Sequence, residues 1–82
     1  MKNNKMIHII SVFPLPDYKL LVEFDTKEKK SFDMTGYIKN GVFRQLADVE
    51  KFNQVRISLG TVAWGDMLDI APEKIYSDGI PV

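Results

Sequence analysis

Few side chains in this sequence have the chemistry to act on a substrate or hold an ion, and their spacing argues against most such roles. Asp66, Asp69 and Glu73 place three carboxylates within eight residues, dense enough to suggest a divalent cation. Their spacing lacks the alternating oxygen ligands and closing bidentate glutamate of a calcium loop, so Asp69 is expected to satisfy backbone N–H groups at the Pro72 turn instead. Asp33, just before Met34, invites the same capping role. His8 sits among aliphatics and reads as a partly buried strand histidine bonded to a neighbour rather than a ligand or base. No histidine stands at a recognisable spacing from Ser11, Ser31, Ser58 or Ser77, so a nucleophilic triad has no support. Gly36, Gly41, Gly60 and Gly65 are too dispersed to cradle a phosphate. Lys27, Lys29 and Lys30, with Lys39 and Arg44, could gather into a basic patch near Tyr37 and Phe43 and stack nucleic acid. A solvated lysine hairpin is the stronger reading. The expectation is no catalytic, metal or cofactor site.

Composition narrows the field further. The 82 residues, 45% of them hydrophobic, suffice for one small domain over residues 1–82. Eleven basic and eleven acidic residues cancel, which leaves no global field to draw in nucleic acid or an anionic membrane. There is no cysteine, hence neither a disulfide framework nor a thiolate metal site. Lys2 and Lys5 before the apolar run Met6 to Phe13 loosely imitate a signal peptide. The run is short, carries His8 and Ser11, and meets Pro14-Leu15-Pro16 where a cleavage site would be. A cytoplasmic protein whose first element is a strand is expected.

The elements that must position these residues follow from hydrophobic period. Met6 to Phe13 is apolar on both faces and is expected to lie centrally or under a covering element, with Pro14, Pro16 and Asp17 forming the turn after it. Tyr18, Leu20, Val22 and Phe24 alternate against Lys19, Glu23 and Asp25, the pattern of a half-buried antiparallel strand. A two-residue connection, Thr26-Lys27, leads to a polar strand from Glu28 to Asp33 with Phe32 facing in, whose lysines would guard an exposed edge. From Met34 the period changes. A helical turn to Gly41, a second with Phe43 and Leu46 on one side, and a third capped by Asp48 that buries Val49 and Phe52 are all too short to stand alone and must lie on the sheet. Val55 to Leu59 alternates as a strand. The stretch from Gly60 to Tyr76 holds the only tryptophan: Val62 and Trp64 share one face, Leu68 and Ile70 another, and a reversal near Gly65-Asp66 brings them together. The fold class is α+β: one antiparallel sheet of about five strands with short helices packed on it.

Leu15-Pro16-Asp17-Tyr18, Val22-x-Phe24, Phe32-Asp33-Met34, Gly41-Val42-Phe43-x-x-Leu46-x-Asp48-x-x-x-Phe52 and Gly60-Thr-Val-x-Trp64 through Asp69-Ile-Ala-Pro-Glu-x-Ile-Tyr76 follow one another in an order that resembles a small bacterial family, domain of unknown function 2442 (DUF2442). The resemblance spans roughly residues 6 to 76. It implies an antiparallel α+β fold; the family has no established activity, so no catalytic residues carry over. Family members occur alone or fused to a helix-turn-helix domain, often beside a gene for another small domain, a pairing that has prompted toxin–antitoxin suggestions. No such fusion is expected after Val82. The sequence departs from the family pattern at two turns: Thr26-Lys27 replaces an aspartate-glycine pair, and Gly65-Asp66-Met67 follows Trp64 where proline-asparagine-glycine is usual.

These features point to a non-catalytic protein-interaction or regulatory module, an antitoxin-like half of a two-gene system. Its expected partner is a protein, either a neighbouring-gene product or a second copy, with no membrane and no nucleic acid bound by this domain alone. The lightly charged hairpin at Trp64, Gly65, Asp66 and Met67 is the expected contact. The alternative is a nucleic-acid module using Lys27, Lys29 and Lys30; the remote one is a small enzyme using aspartate or histidine.

Overall fold

The computed structural model describes residues 7–39, 41–65 and 68–82. Seven strands and two short α-helices follow in the order β1 (Ile9–Leu15), β2 (Lys19–Phe24), β3 (Lys29–Asp33), a 3-10 helix (Gly41–Ala47), α1 (Val49–Phe52), β4 (Arg56–Ser58), β5 (Thr61–Trp64), β6 (Leu68–Ile70), α2 (Pro72–Asp78) and β7 (Ile80–Pro81). The expected antiparallel α+β class holds, but the strands divide into two sheets: a four-stranded one in the order β1-β2-β3-β7 and a three-stranded one in the order β4-β5-β6. They meet where the Ile9 N–H donates to the Gly60 carbonyl, 2.8 Å away. An irregularity in pairing with β2 between Ile9 and Ser11 marks the same place.

The core forms where the inner faces of both sheets meet the helices. Leu20, Val22, Phe24 and Phe32 come from the larger sheet, Val62, Trp64, Leu68 and Ile70 from the smaller, and Met34, Leu46, Phe52 and Ile75 from the segments laid over them. The alternation in β2 is as expected: Leu20, Val22 and Phe24 are buried while Lys19 is exposed. An aromatic series runs through this core. Tyr18 meets Phe52 edge-on at 5.3 Å, Phe52 lies 6.0 Å from Trp64, Trp64 6.4 Å from Phe43, Phe43 5.8 Å from Tyr37, and Tyr37 5.7 Å from Phe32. Such offset and edge contacts satisfy the ring quadrupoles while filling volume.

Several local expectations are corrected. β1 is an edge of its sheet rather than a central strand, and Ile10 and Phe13 stand more than half exposed on it. Pro14 lies within β1, tolerated because an edge strand needs no N–H there. Val49, expected in the core, is 55% exposed. A single helical turn presents only one face inward, and Phe52 occupies it. The region after Leu46 is otherwise as read: Asp48 caps α1, its Oδ1 accepting the Glu50 N–H at 3.0 Å. Phe43 and Leu46 do share a side, because i and i+3 eclipse in a 3-10 helix.

The turns differ more. The β2–β3 connection has three residues, Asp25 to Lys27, with the Lys27 N–H donating to Phe24 and the Phe24 N–H to Glu28; Lys27 takes φ +76° in the left-handed position of a bulged hairpin. Leu59 is not in a strand. It forms, with Gly60, a two-residue turn in which both φ values are positive, +53° and +80°. This is the conformation that favours Asn-Gly, and a leucine 100% exposed gains no burial from it. Leu59→Asn should therefore raise stability by roughly 0.5–1 kcal/mol, read as a higher denaturant midpoint at unchanged slope. A lower midpoint would mean that Leu59 makes contacts in the folded state.

Candidate functional site

The smaller sheet carries the candidate site. β5 is its central strand: Trp64 pairs with Leu68, Val62 with Ile70, and Ala63 with Asp69. Trp64 is 4% exposed, and its Nε1–H donates to the Phe52 carbonyl at 2.9 Å, so one ring ties the hairpin to α1. Three residues connect Trp64 to Leu68. The first, Gly65, has φ +59°, which places the left-handed residue at the start of the loop. Arg56 crosses from β4 and donates from Nη2 to the Gly65 carbonyl at 2.5 Å, latching the turn.

Beside this turn opens a cleft of about 310 Å³, lined by Gln45, Leu46, Lys51, Gln54, Trp64, Gly65 and Leu68. Its floor is the apolar set Leu46, Trp64 and Leu68, and its rim carries exposed amides and one ammonium from the 3-10 helix, α1 and the turn after α1. β6 borders it and, among the described residues, pairs only with β5. The arrangement offers an apolar seat, neutral hydrogen-bonding groups and a strand edge, with no nucleophile or acid–base pair among the lining residues.

Of the four residues expected at the contact, Trp64 is therefore the buried floor and Gly65 the exposed turn; Asp66 and Met67 lie outside the described residues. Ala63 is only 6% exposed on the central strand, so it does not reach a partner. Sequence reasoning missed Gln45, Lys51 and Gln54. They come from other segments, and exposed polar residues in short helices and turns carry no signal of which neighbour they will rim.

The lysine hairpin is not a uniform patch. Lys27 and Lys29 are exposed, but Lys30 is half-buried on the opposite face of β3. Its Nζ donates to the Tyr76 carbonyl at 2.6 Å and stands 3.8 Å from that ring's centroid. Tyr76 in turn donates its hydroxyl to Glu28 Oε1 at 2.7 Å, and Thr26 donates to the same oxygen at 2.8 Å. The hydrogen bonds from Tyr76 and then Thr26 hold the Glu28 carboxyl below the ordinary carboxylate range. The hydrogen bond to Glu28 in turn raises the Tyr76 phenol. A folded-state pKa below the unfolded one contributes stability above the unfolded value that is lost as pH falls through the folded value. Asp33, lowered by the Thr35 backbone and hydroxyl, acts in the same sense. The melting temperature should thus fall as pH drops through and below the carboxylate range, and less steeply in Glu28→Gln. An identical acid profile in that variant would exclude the Tyr76–Glu28 link as a contributor.

The remaining chemistry-bearing residues resolve as follows. Asp33 accepts from the Thr35 N–H at 2.9 Å and its hydroxyl at 2.8 Å, the capping role expected. Asp69 does not cap: it is exposed in the middle of β6, and α2 starts after Ala71, whose side chain has no acceptor to offer, while Pro72 at the first position removes one of the unpaired N–H groups. His8 precedes β1 with its side chain 48% exposed rather than partly buried in a strand, and its Nδ1 lies 3.3 Å from Asp25 Oδ2. Among the described residues, no three His, Asp or Glu side chains gather as a metal site would require, and no helix is long and apolar enough to cross a membrane.

No curated protein and no solved structure matches the chain. The model of a family described as protein of unknown function (DUF2442) matches residues 9–81, nearly the whole chain, including every strand and both helices set out above. The chain belongs to the DUF2442 family.

Proposed function

We propose that this domain is a non-catalytic protein-interaction module acting in the bacterial cytoplasm, the antitoxin-like regulatory half of a two-gene system, and that it receives its partner at the Trp64–Leu68 cleft. The observation that carries this reading is the combination, at one place, of an apolar floor, an amide-rich rim and the one-sided strand β6. An extended partner segment could add to β6 through main-chain hydrogen bonds while a side chain enters the cleft. The gene pairing implied by the family resemblance supports a protein partner by analogy. Lys30 folded onto Tyr76, with Glu28 between the remaining lysines, weighs against a phosphate-binding stripe, since non-specific nucleic-acid affinity needs unopposed cations.

The test compares two folded variants in co-purification from the native operon. Gln45→Glu/Lys51→Glu alters only exposed rim groups and should lose the co-expressed partner, whereas Lys27→Ala/Lys29→Ala should keep it. The opposite pattern, with nucleic acid lost from the lysine variant, would replace this reading with the nucleic-acid one.

A further inference from the structure

We infer that the outer face of the four-stranded sheet is a self-association surface, built to stack on the same face of a second copy of this chain. The face follows from the register. Phe13 pairs with Leu21, Leu21 with Ser31, and Ser31 with Ile80, so these four residues form one row across all four strands. Their inward-facing neighbours Leu20, Val22 and Phe32 are in the core, which puts this row on the opposite face. Phe13 and Ile80, at its two ends, are 59% and 68% exposed. Among the described residues no helix lies over it: α2 packs on the other face, where Lys30 holds Tyr76.

The charges identify the occupant. On the outer face Glu23 pairs with Lys29 on one side of this row, and Lys19 with Asp33 on the other. Along β2 the order is Lys19, Leu21, Glu23; along β3 it is Lys29, Ser31, Asp33. The four charges form a checkerboard on the two central strands. Rotating a second copy about a two-fold axis that runs along the strands, between β2 and β3, lays β2 over the other copy's β3. Every charge then faces its opposite, Glu23 over Lys29 and Lys19 over Asp33, and Phe13 falls on Ile80. A two-fold axis in the sheet plane but across the strands also matches unlike charges, Glu23 over Lys19 and Lys29 over Asp33. A surface that complements itself under two-fold rotation is what an isologous dimer requires, and these pairs lie about 2.4 Å from the first axis, where sheet twist displaces them little. A partner bearing one sign of charge gains nothing from such a pattern.

The size of the face sets the strength. Four strands and about five residues give a patch of roughly 19 by 17 Å, well under the ~800 Å² per partner of a standard stable interface. Association should therefore be reversible, with a dissociation constant on the order of 0.1 mM. It leaves β6 and the Trp64 cleft free, so a dimer would present two copies of the proposed partner site.

Sedimentation velocity of the whole chain at low salt, from about 10 µM to about 1 mM, spans that range. The wild type should shift from monomer to dimer. Concentration-dependent amide shifts should centre on Phe13, Leu21, Ser31 and Ile80 and leave Leu68 to Ile70 unmoved. Phe13→Ser and, separately, Glu23→Lys should each weaken association by roughly tenfold or more with melting curves near wild type; Glu23→Lys brings like charges together about either axis. If Phe13→Ser is poorly folded, Glu23→Lys alone decides. A wild type that stays monomeric throughout, a dimer whose shifts map to β6, or one indifferent to Glu23→Lys would each overturn the inference.

Discussion

Trp64→Ala will leave the domain unfolded or barely folded at room temperature. The ring is 4% exposed, lies between Phe52 and Phe43, and its Nε1–H satisfies the Phe52 carbonyl. Removing a buried tryptophan typically costs roughly 3–5 kcal/mol, and the Phe52 carbonyl, left with only the longer Val55 N–H bond at 3.3 Å, adds to that. A domain of this length has a total stability on the order of 5 kcal/mol, so little remains. Trp64→Phe separates the two contributions, because it keeps much of the ring and loses the donor. It should melt cooperatively, between wild type and the alanine variant. Denaturant titration followed by circular dichroism reads both; an alanine variant whose cooperative melt is lowered by only a few degrees would show that the ring is peripheral to folding.

Gly79→Ala should cost about 1–3 kcal/mol, the range for overfilling a packed site, although nothing about its backbone is unusual for a non-glycine residue. Its φ of −70° is one any residue adopts. The reason is space: a Cβ there would stand 2.7 Å from the Ile75 carbonyl oxygen and 3.0 Å from Lys30 Cβ. The first is backbone of α2 and cannot rotate away, and the Gly79 N–H already donates to that same oxygen at 2.8 Å. Relief must come from shifting β7, whose pairing with β3 is only two residues long, or from displacing Lys30 from Tyr76. Thermal melts, with amide exchange along β3 and β7, would register the loss. Gly36→Ala is the control, since a Cβ there meets nothing within 4 Å. Equal effects at both positions would remove the steric explanation.

Much of this architecture was legible before any coordinates. Period-two alternation marked β2 because it buries one face, and an error of a single residue would have turned Leu20, Val22 and Phe24 to solvent; β5 was marked only by Val62 and Trp64, since its other face, Thr61 and Ala63, is buried as well. Asp48 and Asp33 were readable as caps because a short carboxylate before a turn has local N–H groups to satisfy. The tryptophan hairpin was readable because Val62, Trp64, Leu68 and Ile70 are the densest apolar set near one glycine. Local chemistry of this kind depends on residues a few positions apart, and the order of residues alone determined it.

Other features depended on partners far along the chain. β7 is two residues, one of them proline, and exists because β3 offers it an edge. How the two sheets join rests on the Ile9–Gly60 hydrogen bond, fifty-one residues apart in sequence. Whether an apolar strand is central or an edge, as with β1, is settled by what finally lies beside it. The left-handed turns at Lys27 and Leu59 were not legible, because neither residue favours that conformation and only the closing strand pairs impose it. The Trp64 cleft likewise joins a 3-10 helix, α1 and a hairpin. Its floor was legible from the sequence, since burial of a tryptophan follows from its apolar surface; its rim of Gln45, Lys51 and Gln54 was decided by tertiary packing alone, because an exposed polar side chain in a short helix or a turn has no periodic pattern to reveal which neighbour it will face.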